Sequence, residues 1–107
     1  MSTSTPAILQ LQVEKQPDVT IVHCSGKVLL DNVSEFSTVR QLIPEGKRIR
    51  VDLANVTQVD STGIGTFVSV WAAAKKNGVE LTFFNPSKAI EDIVEITKLH
   101  HMFEAKG

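Results

Sequence analysis

The densest run of chemically useful residues in the chain is Val59-Asp60-Ser61-Thr62-Gly63-Ile64-Gly65. A carboxylate, two hydroxyls and two glycines sit between an apolar stretch that reads as a strand and a longer stretch with helical periodicity. Ser61 is placed to cap the helix, its hydroxyl accepting a free amide N–H one turn on. Asp60 sets negative charge near the positive helix end. Gly63 and Gly65 each cost a helix about 1 kcal/mol relative to Ala, so the missing side chains must let another backbone or a ligand come close. Four chemistries suit such a turn: cradling a phosphate on free amides, accepting a covalent phosphate on Ser61, docking a partner, or a capped helix whose glycines serve internal packing. The G-x-G lacks the third glycine of a dinucleotide fingerprint, and no G-K-[ST] follows, so this is not a Walker loop. Asp60 would repel a freely bound anion. A covalent phosphate meets no such objection, and on Ser61 it would add about −1.5 to −2 charges beside Asp60, opposing any partner contact there.

Other candidate groups point to structure. His23, His100 and His101 have no H-x-x-x-H or Cys spacing to hold a metal. Asp52 and Asp60 bracket a short segment, but a general acid–base pair needs a pocket and a third actor. Lys47, Arg48 and Arg50 read as a solvated strand face, and Trp71 falls on an apolar helical stripe. Cys24 lies in the apolar run Thr20-Ile21-Val22-His23-Cys24 and reads as a buried, inert thiol. No Ser/His/Asp arrangement emerges from spacing, so enzymatic activity is not expected.

These residues must be positioned by a small fold. A chain of 107 residues suits one domain. With 42% apolar and 21% charged residues it has the composition of a soluble globular protein. A net charge of −1 gives no basic surplus for nucleic acid or an anionic membrane. A lone cysteine excludes an internal disulfide and fits the reducing cytoplasm. The start has neither a basic region nor a long apolar run, so no secretory signal is expected, and residues 1–6 read as a mobile tail. Alternating residues 7–15 and 19–24 predict a hairpin. Asn32 and Glu35 read as a capping box for a helix with Val33, Phe36, Val39 and Leu42 or Ile43 inward, stopped by Pro44 and Gly46. Residues 48–53 read as a strand. Ile64, Phe67, Val68, Trp71 and Ala74 mark a helix that Asn77-Gly78 ends. Residues 79–84 read as a strand and Asn85-Pro86 as the start of a helix with Ile90, Ile93, Val94 and Thr97 inward. Residues 100–104 read as a last strand. The result is an α/β fold, one mixed β-sheet in the order β-β-α-β-α-β-α-β with helices packed on it and right-handed crossovers.

The stretch from Asp52 to Gly65, with its D-S-T-G-I-G string, resembles the signature of the STAS family, the sulfate-transporter and anti-sigma-factor-antagonist domains. The likeness runs from Leu11 to about Glu104 and takes in Gly26, Asn77-Gly78 and residues 96–103, which implies one STAS domain over residues 7–107. The resemblance implies an anti-anti-sigma factor that binds an anti-sigma serine kinase and frees a sigma factor. It implies that the kinase, which holds the ATP, phosphorylates Ser61 and so releases itself, and that a phosphatase resets the switch. Asp60, Thr62, Gly63, Ile64 and Gly65 would then lie at the docking surface. The chain itself would need no cofactor and no metal; its partners would be the kinase, the phosphatase and, weakly, a second copy. Lys27 and Leu29 stand where substrates of such kinases usually carry acids, and Asp31 is the nearest carboxylate to replace them. This departure favours a rival: a phosphorylation-independent adaptor on an ABC transporter ATPase of phospholipid trafficking. A ligand-binding sensor using the helix start is the second rival, and Asp60 argues against it.

Overall fold

The computed structural model describes residues 9–104; the expected tail at residues 1–6 lies outside them. Four strands form one sheet in the order β1-β2-β3-β4: β1 Leu9–Lys15, β2 Val19–Val28, β3 Arg48–Val59 and β4 Leu81–Phe84. The opening hairpin is antiparallel, whereas β2–β3 and β3–β4 are parallel. Helix α1 (Ser37–Leu42) lies between 3-10 turns at Val33–Phe36 and Ile43–Glu45. Helix α2 spans Ser61–Lys76 and α3 spans Lys88–Thr97. Both parallel crossovers step the same way across the sheet, so their common right hand puts α1 and α2 on one face.

That face holds the core. Val22, Cys24, Ile49, Val51, Leu53, Leu81 and Phe83 point into it from the strands, and Phe36, Val39, Phe67, Val70 and Ala74 from the helices. Each large side chain sealed there contributes about 1.5–3 kcal/mol. Aromatic rings run through the layer: Phe36, Phe67, Phe83 and Phe103 follow one another at centroid separations of 5.3, 5.2 and 5.5 Å. Trp71 is only half-buried, edge-on to His101.

Several local expectations shift. Strand β2 does not stop before Ser25 but runs to Val28 through two register shifts, with Gly26 at φ 106. Strand β3 continues past Leu53 to Val59. Asn32 and Glu35 form no capping box: the Asn32 carboxamide instead accepts from Leu29 N–H (2.8 Å) and donates to the Lys27 carbonyl (2.8 Å), closing the turn after β2. Ser87, not Asn85, caps α3, with its hydroxyl accepting from Ile90 N–H (3.4 Å). Thr97 is exposed rather than inward. The expected last strand is a 3-10 turn at His100–Met102 followed by one bridge, Phe83 to Phe103. Helix α2 ends as its sequence indicates, with Gly78 at φ 73 accepting the left-handed conformation past the last turn.

Candidate functional site

Strands β2 and β3 are parallel and finish together, Val28 paired with Val59. Their outgoing loops therefore emerge side by side at the carboxyl edge of the sheet, where open α/β sheets place their binding sites. The turn after β2 (residues 29–32) and the start of α2 are stitched together there. Asp60 N–H donates to the Val28 carbonyl (3.2 Å). One Asp60 carboxylate oxygen accepts from Gly63 N–H (2.8 Å) and the other from Leu30 N–H (2.9 Å). Asp60, not Ser61, is thus the helix cap. These two N–H groups, Gly63 first, hold its carboxyl below the usual carboxylate range.

With the cap supplied by its neighbour, Ser61 stands exposed on the first turn. The two glycines divide the packing roles. A Cβ on Gly63 would lie 2.4 Å from the Val28 carbonyl oxygen and 2.8 Å from Val59 Cγ2, so this glycine admits β2. A Cβ on Gly65 would meet nothing within 4 Å. Gly65 is exposed one helical turn from Ser61 and keeps that surface low. Ile64 is buried beneath the turn and Thr62 half-buried. Of the residues expected at a contact surface, Ser61 and Gly65 are exposed and Asp60 and Thr62 partly so, whereas Gly63 and Ile64 face inward and fix the helix. Asp31 is exposed in the neighbouring turn. Leu30, which the sequence does not single out, is 66% exposed and hangs from the turn that Asp60 holds.

The remaining candidate groups are occupied elsewhere. His23 lies between Asp52 (Nδ1–Oδ2 2.8 Å) and Glu14 (Nε2–Oε1 3.0 Å), and the carboxylates, Glu14 first, raise its pKa. Asp52 and Asp60 therefore serve different partners and make no pair. The basic cluster is not simply solvated: Arg50 grips both oxygens of Glu104 (2.7 and 2.9 Å) and stacks on Phe84, and Arg48 reaches Glu80 and Glu104. Cys24 is buried, its thiol pushed up to about 12 by desolvation. Among the described residues, no group of three or more His, Cys, Asp or Glu is arranged to hold a metal, and no helix is long and apolar enough to cross a membrane. An open groove of about 610 Å³ beside α3, lined by Pro86, Val94, His100 and Phe103 among others, shares no lining residue with the Asp60 turn.

The molecule is thus a small mixed-sheet α/β domain with an exposed serine at the capped start of its second helix. Residues 10–106 match the STAS domain family, and the chain belongs to it. An anti-sigma-B factor antagonist of Listeria monocytogenes is 36% identical over 97 residues, covering 88% of this chain and 84% of that one. A solved anti-sigma factor antagonist from Mycobacterium paratuberculosis superposes with a TM-score of 0.78 at 18% identity, covering 94% of this chain and 86% of that one. The Bacillus cell fate determinant SpoIIAA in its phosphorylated form superposes at 0.70 with 15% identity, covering 92% of each. The two structures share the fold with this chain.

Proposed function

We propose that this chain is an anti-sigma factor antagonist that docks on an anti-sigma serine kinase through the surface around Ser61 and is released when Ser61 is phosphorylated. One observation carries the reading: the Ser61 hydroxyl is exposed and relieved of capping by Asp60, beside a glycine with open space above it. The Listeria relative, similar over most of both chains, supports the antagonist role. That SpoIIAA has been solved phosphorylated supports the modification. Ser61, Gly65, Thr62 and Asp31 make the contact, with Asp60 fixing the turn.

The transfer is a simple exchange. Ser61 Oγ bonds to the γ-phosphorus of ATP held by the kinase, the bond from that phosphorus to the β–γ bridging oxygen breaks, and ADP leaves. The hydroxyl proton passes to a base of the kinase. The product places about −1.5 to −2 charges where the partner sat. A phosphatase uses water to hydrolyse the ester and restore the hydroxyl. The chain supplies acceptor and surface; nucleotide chemistry belongs to the partner, and the exchange takes place in the cytoplasm.

The test is phosphate mapping. Incubated with ATP and the anti-sigma serine kinase of the same genome, the chain should gain one phosphate on Ser61, and Ser61→Ala should gain none. An unmodified Ser61 alongside a labelled control substrate would sink the switch.

A further inference from the structure

The Asp60 carboxylate does two jobs at once. It caps α2 through Gly63 N–H and holds the turn after β2 through Leu30 N–H, a residue thirty positions away in sequence. Asn32 closes the same turn from the other side through Leu29 N–H and the Lys27 carbonyl. At the tip of that turn Leu30 is 66% exposed. A single exposed leucine is ordinary on a protein surface; what sets Leu30 apart is that its backbone N–H is held by the carboxylate next to Ser61.

We infer that Asp60 is a positioning residue that couples the chemical state of Ser61 to the placement of Leu30, so that phosphorylation both adds charge to the docking surface and withdraws an apolar anchor from it. The inference rests on the docking reading and deepens it. A dianion on the adjacent residue repels the Asp60 carboxylate. Of the two bonds that carboxylate makes, the one to Gly63 lies within the helix's own first turn, where the helix N-terminus favours a negative group. The one to Leu30 spans two loops, and it is the bond that opens. Leu30 then loses its backbone tether while the sheet below stays closed, because Asp60 N–H still donates to the Val28 carbonyl and Val28 stays paired with Val59. A partner read by this surface has an apolar pocket for Leu30 next to the recess over Gly65.

The experiment is amide hydrogen exchange by NMR on the whole chain, with phosphoserine installed genetically at position 61. Exchange at Leu30 should speed by about tenfold or more, with Val51 and Phe67 unchanged, since local opening and global unfolding are separable in exchange. Asp60→Asn, whose amide keeps one acceptor oxygen for Gly63 and loses the other, should reproduce the Leu30 effect without phosphate. Phosphoserine added to Asp60→Asn should then do little more, as coupled sites behave non-additively. Unchanged Leu30 exchange in the phosphoserine protein, or acceleration shared by Val51 and Phe67, overturns the coupling. Affinity for the kinase, measured on the same samples, separates the two ideas. Lost binding with Leu30 still protected leaves the docking reading standing and removes the coupling. Retained binding with Leu30 released removes the docking reading and keeps the coupling.

Discussion

Two polar regions of this molecule contain similar residue types and behave differently. On the sheet face away from α1 and α2, Glu14, His23 and Asp52 join β1, β2 and β3, and Glu104 ties Arg50, Arg48 and Thr82 together. Those groups satisfy one another, which makes the region a set of fasteners. At the carboxyl edge of β2 and β3, Asp60 takes up the amides of Gly63 and Leu30 and Asn32 that of Leu29, which leaves an exposed serine, an open glycine and a leucine facing outward. Density of polar residues does not separate a site from a scaffold here; what separates them is whether the groups are already spent on one another.

The sharpest way to break that contrast is to fill the two glycines. Gly63→Ala drives a Cβ into the Val28 carbonyl and should cost about 3 kcal/mol, at the upper end for overpacking. Gly65→Ala meets open space and should stabilise the chain by up to about 1 kcal/mol, while crowding the surface over Ser61 and weakening the proposed kinase contact. Urea melts of the two variants read both signs, and equal effects would erase the division between them.

The next effect belongs to the fasteners. Glu104→Gln should cost about 1–2 kcal/mol at neutral pH, since it breaks a partly buried, charge-assisted pair of bonds to Arg50. Arg50, the leading cause, lowers the Glu104 carboxyl. That stabilisation is present above the ordinary carboxylate pKa and is lost as pH falls through the lowered one. Melts of wild type and variant should therefore converge in acid.

The smallest effect is at His23. Its pKa is raised, so its contribution is full below the ordinary histidine pKa and fades as pH climbs through the folded value. With the ring 37% exposed, solvent screens the gain to about 0.5 kcal/mol. His23→Gln should lower the melting temperature at mildly acidic pH and leave it unchanged at mildly alkaline pH.

The sequence made the core legible and the junctions obscure, for a physical reason. Phe36, Val39 and Leu42, or Ile64, Phe67 and Ala74, repeat at helical spacing because one face of each helix must be dry, although Val70 is buried where the stripe names Val68, which is exposed. Beyond Leu53 that logic fails. The partner of β3 jumps from His23–Asp52 to Ser25–Asn55, an irregularity that separates buried Leu53 and Val56 by three positions and hides the strand from a period-two search. Asp60 and Ser61 are both good caps, and the choice between them falls to Leu30 N–H, which no local pattern reveals. Arg50 and Glu104 lie 54 residues apart, so a paired arginine looked like a solvated one. Ser61 itself was readable, because an acid, two hydroxyls and a glycine at a strand-to-helix turn are unusual in any context. Which of the two glycines faces inward was not.

Calorimetric titration of the anti-sigma serine kinase with this chain, carrying serine or phosphoserine at position 61, bears most directly on the switch. We expect the phosphoserine form to bind at least about 100-fold more weakly, roughly 2.8 kcal/mol. Equal affinities for the two forms would contradict it.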